Sequence, residues 1–345
     1  MTGISDLATP VLMGILLGGL YVLIALGLSM VFGVMRLINV AHGDLVILAS
    51  YFAFFAMSGE IMRHKFAFGT DPLLSLIVIV PIMFGIGYAI QKFLMSRAFE
   101  TSMEAPLLIA FGLSLVIQNT CQRFWTPLSR RLITPYALES ISLGSVTLPQ
   151  MYFLDFIAAV VVVLLLREFL SRTYLGKAIN ASSQNKRAAH LMGVNTDRVY
   201  GFAFGIAMAT ATIAGVFLGL TFPFTPTSGV SFLIIAFGVV IIGGLGSMLG
   251  TFVGGMILGL ARTLGGYFLD PAAQTLILYL IVLVVLAARP QGIFGARRTG
   301  DLLFLGSGKE QYLWWPWWLC WRCCRWWASP SGGCSTFCSF SCTWP

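Results

Sequence analysis

Residues 167–198 read REFLSRTYLGKAINASSQNKRAAHLMGVNTDR. This polar island lies between two apolar runs, near 151–167 and 199–222. A water-seeking stretch held between two apolar runs describes a chain threaded through a bilayer, with the polar stretch at one surface. Its apolar positions Ala178, Ile179, Ala181, Ala188, Ala189, Leu191 and Met192 alternate with polar ones at near-helical spacing. Such a helix presents a small-residue face to a partner groove, and Gly193 is placed to close it as a C-cap. A solvated loop is the competing reading, and on physical grounds the two stand even.

Composition sets the class. Of 345 residues, 58% are hydrophobic and 10% charged, with mean hydropathy +0.88. Apolar runs of roughly 18 residues or more mark bilayer-spanning helices. Such runs fall near 11–35, 40–58, 73–92, 105–121, 151–167, 199–222, 230–245, 248–265 and 272–288. The second and seventh are short and Gly-broken, the pattern of half-helices. The fold expected is all-α and polytopic, with eight to nine transmembrane or half-membrane helices. The 37 glycines suit close helix packing. MTGISDLATP has no basic n-region, so no cleavable signal peptide is expected. The net charge of +8 comes without a basic stripe carrying interleaved aromatics, which argues against nucleic acid.

Loop charge orients the chain. With the N-terminus outside and every run crossing, the inner loops collect Arg36, Lys92, Arg97, Arg167, Arg172, Lys177, Lys186, Arg187, Arg198, Arg289, Arg297 and Arg298. The outer loops collect Arg63, Lys65, Arg123, Arg130 and Arg131. The excess of basic residues belongs on the cytoplasmic side, which puts the 167–198 island there and the Pro-containing 123–150 loop outside.

Polar motifs inside the apolar body are few. Asn39, His42 and Asp44 stand between the first two runs. Asn39 fits an N-cap for the second helix, and Gly43 permits close packing. One His and one carboxylate make a poor metal site, so no metal is expected. Gln118 and Asn119 end the fourth run, where a substrate path and a helix–helix hydrogen bond are equally good readings. Gly14, Gly18, Gly19, Gly27 and Gly33 suit ordinary helix packing. Gly243, Gly244, Gly246 and Gly250 suit a tight bend between two packed helices. No Gly-x-x-x-x-Gly-Lys-Ser/Thr occurs, so the chain carries no phosphate-binding loop of its own. His42, His64 and His190 form no evident catalytic cluster, and the charged intramembrane pairs of proton-coupled carriers are lacking.

Several stretches together resemble the LivH-type permeases of branched-chain amino acid ABC importers. They are GGLYVLIALGLSMVFGVMRLINVAHGDL, LLIAFGLSLVIQN, GKAINASSQNKRAAHLMGVNTDRVYGFAF, VVIIGGLGSMLGTFVGGMILG and RPQGIFG. Asn39-x-x-His42-Gly43-Asp44 and Arg289-Pro290-Gln291-Gly292 are specific in combination. The x-Ala188-Ala189-x-x-x-Gly193 pattern alone is weak.

The resemblance covers residues 10–298 and implies a type II-like importer permease domain over 1–300. It implies a heterodimer with a LivM-like second permease, two cytoplasmic ATPases and an extracytoplasmic binding protein, in the plasma (inner) membrane. ATP would be bound by the partner subunits, with no cofactor in this chain. By the same resemblance Lys186, Arg187, Ala188, Ala189, Leu191, Met192, Gly193 and Val194 would form the ATPase-coupling contact. Many relatives carry Glu where Arg187 stands. The family also includes importers of urea and short amides, which keeps the substrate open, and a secondary transporter is the remaining alternative.

The tail, residues 301–345, changes character. Eight of nine Trp and six of seven Cys lie beyond residue 313. Trp is TGG and Cys TGY, so the underlying DNA is tightly constrained. Codons begun one base earlier from Trp314 turn Trp-Trp-Pro-Trp-Trp into an NTG residue followed by Val-Ala-[Leu/Met/Val]-Val. The expectation is a frameshift between Gly300 and Trp314, with the lost frame encoding the start of a LivM-like permease.

Overall fold

In the computed structural model, residues 4–61, 64–65, 69–101, 104–143, 146–269 and 273–288 are described. Arg63, the Arg289–Gly292 element and the 301–345 tail lie outside the described residues. The compact unit that holds the helices spans Met1–Ala296.

Nine long helices are found among the described residues, each on one of the apolar runs. They are α1 (Ile4–Met35), α2 (His42–Ser58), α3 (Pro72–Ala89), α5 (Ala105–Trp125), α7 (Gln150–Arg172), α10 (Thr196–Thr221), α11 (Gly229–Gly243), α12 (Met248–Phe268) and α13 (Ala273–Ala288). Short helices α4 (Ser96–Thr101), α6 (Pro135–Leu138), α8 (Tyr174–Gln184) and α9 (Lys186–Leu191) lie between them. Five helices, including α1 and α10, are long and apolar enough to cross a membrane, while α2, α11 and residues 274–287 are apolar but shorter.

Glycine sets how the helices meet. Carbon atoms added at Gly14, Gly18 and Gly259 would strike the facing helix, so α1 and α12 run antiparallel at backbone contact. The bend 244–247 uses Gly244 (φ 97°) and Gly246 (φ 82°), a conformation open to glycine at little cost. The packing and bend expectations hold.

The α1 helix closes at Arg36 (φ 55°), whose N–H donates to Phe32 O at 2.8 Å. The chain then folds back inside the bundle. The His42 side chain sits beside Gly27 of α1, and Gly27 also faces Ala207 and Thr210 of α10. These positions lie at the middle of α1 and α10, so α2 starts at mid-depth and runs to one end. After α10 the segment 222–228 also turns inward, because Gly229 packs on Asp44. From there α11 runs to the opposite end, where Gly243 meets Gly250. Two half-length helices of opposite direction thus meet N-terminus to N-terminus inside the bundle. They hold the second place in two helix sets, α1–α2–α3–α5 and α10–α11–α12–α13, of opposite sense. This is the inverted arrangement of transporter repeats, and the short runs are the half-helices expected.

Three details differ from the sequence reading. The 123–150 loop contains a hairpin, β3 (Ser140–Leu143) with β4 (Val146–Pro149), paired Ser140↔Pro149 through Leu143↔Val146. A second small hairpin joins β1 (Glu60–Ile61) and β2 (His64–Lys65). Polar loop sequence gave no alternation long enough to announce either. The third difference is a π-helical turn, residues 90–95, that extends α3. In the same loop region as β3 and β4, the Tyr136 hydroxyl donates to Asp71 Oδ1 at 2.6 Å. Burial and that bond push its phenol up to about 12.

Candidate functional site

Two polar regions stand out against the apolar body. The first is the seam where α2 and α11 meet. Asn39, His42 and Asp44 are 3%, 0% and 1% exposed. The Asn39 Oδ1 accepts from Ala41 N–H at 3.1 Å, so Asn39 makes a local turn rather than the expected N-cap. Ala41 holds the cap position, with no side-chain bond, because Asn39 stands two residues before it and its Oδ1 is taken by Ala41 N–H. His42 Nε2 donates to the Ile24 carbonyl at 3.0 Å, fixing the start of α2 to the middle of α1. A carbon atom added at Gly43 would strike the Gly229 carbonyl, and one at Gly229 would strike Asp44. Only glycine at both positions lets the half-helices touch.

Asp44 is the centre of the seam. Its Oδ2 accepts from Ser114 Oγ at 2.5 Å, and Gln118 Nε2 donates to Oδ1 at 3.1 Å. Ser114 and Gln118 are one turn apart on α5. A carboxylate away from water is costly unless its lone pairs are filled. Here two neutral donors fill them, and the N-terminal dipoles of α2 and α11 both favour negative charge at this point. Gln118 therefore belongs to a helix–helix network. Asn119 does not: it is exposed and donates to Leu115 O of its own helix at 2.7 Å.

The second region is the island. It forms two helices rather than one, because Asn185 (φ −151°) breaks the run and caps α9 by accepting from Ala188 N–H at 3.1 Å. Gly193 (φ 83°) closes α9 as expected, with Val194 N–H donating to Ala189 O and Gly193 N–H to His190 O. The small residues do not form one outward face. Ala178, Ile179 and Ala189 are buried, since α8 and α9 lie across the bundle end and need an apolar side of their own. What remains outward is Lys186, Arg187, Ala188, His190 and an apolar tip, with Leu191 and Met192 86% and 84% exposed. Val194 is half-buried.

With this geometry in place, the comparison with known proteins is direct. The family model described as "Branched-chain amino acid transport system / permease component" matches residues 11–287. The chain belongs to this family.

Among its relatives, the permease is 30% identical over 292 residues to the high-affinity branched-chain amino acid transport system permease protein LivH of Salmonella typhimurium. That match spans 82% of this chain and 93% of the relative. It is 28% identical over 288 residues to BraD of Pseudomonas aeruginosa, covering 82% and 94%. The probable LivH permease of Methanocaldococcus jannaschii is 28% identical over 298 residues, covering 81% and 90%. Family and apolar helices together make the chain a multi-pass membrane protein.

Some residues of this permease escaped the sequence reading. Ser114 was one, although Ser114 and Gln118 stand four apart, which puts them on one helix face. Asp155 on α7 is fully buried and accepts from Thr221 Oγ1 at 2.9 Å. Arg262 on α12 donates to the Tyr21 hydroxyl and lies 5.4 Å from the Phe222 ring centre. Asp155 leans on a hydroxyl and Arg262 on a hydroxyl and rings from distant parts of the chain, and no local pattern announces such pairings.

Proposed function

We propose that this chain is the transmembrane permease subunit of an ATP-driven importer of branched-chain amino acids. It sits in the plasma (inner) membrane with its N-terminus outside, and has no catalytic or ATPase site of its own. A LivM-like second permease completes the translocation path, two cytoplasmic ABC ATPases bind the ATP, and an extracytoplasmic binding protein delivers substrate. The observation that carries the reading is the family match over 11–287 combined with the paired half-helices at the Asp44 seam. Half-helices in corresponding places of two inverted halves point to the substrate region.

The path wall we assign is the outer rim of the seam. There α5 exposes Leu115 and Asn119, and α11 exposes Val230 and Ser231. Polar groups on an outward helix face suit a watery path better than lipid. The α8–α9 segment, Lys186 to Val194, is the ATPase contact in this scheme. Basic residues support that orientation, since Arg36, Lys177, Lys186, Arg187 and Arg198 share its end of the bundle. The permease domain is then 1–300 with its coupling segment at 167–198. The 301–345 tail is then of out-of-frame origin, a reading that rests on its codon pattern. Resequencing the DNA tests that point: an intact frame with ordinary downstream stop and ribosome-binding signals removes it.

The functional test is uptake of labelled leucine by cells carrying this permease with its neighbouring ATPase and binding-protein genes. ATP-dependent leucine uptake is the expected result. Uptake of urea or a short amide without leucine replaces the substrate. Leucine uptake that persists when the ATPases are deleted overturns the importer class.

A further inference from the structure

We infer that a cavity at the α8–α9 end of the permease binds a phosphate-bearing anion. The cavity is about 300 Å³ and lies between the end of α1, the α8–α9 junction and the start of α10. Arg36, Ser182, Asn185, Lys186, Arg187 and Tyr200 line it.

Two independent observations point to a ligand. The first is Ser182, which is 2% exposed and whose hydroxyl has no hydrogen-bond partner. An orphaned buried hydroxyl costs about 1–3 kcal/mol, and native proteins seldom leave one. The second is charge. Three cationic residues from two separate elements, Arg36, Lys186 and Arg187, line one small space, and among the described residues no acidic group pairs with any of them. The Lys186 ammonium rests instead 5.4 Å from the Tyr200 ring centre. Asp197 of α10 is the carboxylate that acts on Tyr200 from the neighbouring turn, opposite Arg36. One carboxylate against three cations leaves the cavity positive.

The donor set selects the ligand chemistry. Two guanidinium groups, an ammonium and a hydroxyl all donate, and the Asn185 Oδ1 is already occupied by Ala188 N–H. A group offering several acceptor oxygens and no donors fits this set, and Arg is the residue suited to phosphate. Two sources carry that chemistry: the headgroup of an anionic phospholipid, at a bundle end where apolar helices emerge, or a free phosphate. Either would tie α8 and α9 to α1 and α10. The consequence for coupling rests on the proposed importer role, whereas the binding itself does not.

The test uses the full-length chain in uncharged detergent, titrated by calorimetry with dihexanoyl-phosphatidylglycerol, inorganic phosphate and phosphate-free dihexanoylglycerol. Phosphatidylglycerol is expected to bind. Arg36→Gln, at an exposed position that leaves packing intact, is expected to weaken binding about tenfold or more, the worth of one charge-assisted contact. Ser182→Ala and Lys186→Gln should weaken it as well. Displacement by inorganic phosphate marks a free-phosphate site, and resistance to displacement marks a lipid site. Three results overturn the proposal: no binding, equal binding of dihexanoylglycerol, or binding unchanged in Arg36→Gln. Phosphate binding in a chain that supports no uptake breaks the importer reading alone.

Discussion

The Asn39–Asp44 seam and the Lys186–Val194 segment break the same rule in opposite ways. In the seam, polar groups are inside: Asn39, His42 and Asp44 are all at most 3% exposed. In the end segment, apolar groups are outside: Leu191 and Met192 are 86% and 84% exposed. His42 Nε2 and the Asp44 carboxylate close within the chain, on Ile24, Ser114 and Gln118, whereas Asn39 Nδ2 and His42 Nδ1 have no partner among the described residues. In the end segment Lys186 rests on the Tyr200 ring, while the Leu191–Met192 tip stays open. In the seam, interior polar groups hold the place where two half-helices begin. An apolar group on the surface marks where another molecule lands.

If the seam is a backbone contact, its glycines should be the least replaceable residues in the permease. Gly43→Leu is expected to have the largest effect, about 3 kcal/mol or more of lost stability, because the added carbons meet the Gly229 carbonyl. Size-exclusion recovery after heating would show it as loss of the monodisperse peak. Gly193→Ala in the end segment has open space around it and faces only the strain of φ 83°, about 1 kcal/mol. Equal melting of the two variants would dissolve the contrast.

The Asp44 network comes next. Asp44→Leu leaves the Ser114 and Gln118 donors without their acceptor, at about 1–3 kcal/mol. A double-mutant cycle of Asp44→Ala with Gln118→Ala should return an interaction of about 0.5 kcal/mol or more. The same cycle with Asn119→Ala should return nothing measurable, since Asn119 bonds only its own helix. Coupling through Asn119 and none through Gln118 would reverse the assignment of path and network.

Legibility differed between the two regions for a physical reason. Hydrophobic runs are a property of the local chain, so every long helix fell on a predicted run, and the two short runs became the two half-helices. Gly193, Gly244 and Gly246 were readable because φ > 0 is a local demand with one cheap residue to meet it. The partner of Asp44 was not readable. Ser114 lies 70 positions away, and nothing in either segment encodes their meeting. The break at Asn185 was missed because the near-helical spacing of apolar residues runs on across it, although Asn is a capping residue and here caps α9. Arg262 and Asp155 were passed over for the same reason as Ser114: their hydroxyl and ring partners come from distant parts of the chain.

The smallest expected change in stability carries the sharpest functional test. Leu191→Asp with Met192→Asp alters two side chains that are almost wholly exposed, so the melting free energy should move by no more than about 0.5 kcal/mol. Burial of Ala189 beneath them is untouched, and Gly193 still closes α9. In the reconstituted complex the same variant should lose stimulation of ATP hydrolysis by the substrate-loaded binding protein, since two carboxylates replace the apolar tip offered to the partner. A large drop in melting would place Leu191 and Met192 in the chain's own interior, and the contrast with the seam would fail. Intact melting with intact stimulation would keep the fold and move the ATPase contact off the tip of α9, leaving the basic residues Lys186 and Arg187 as the part of the segment still to be tested.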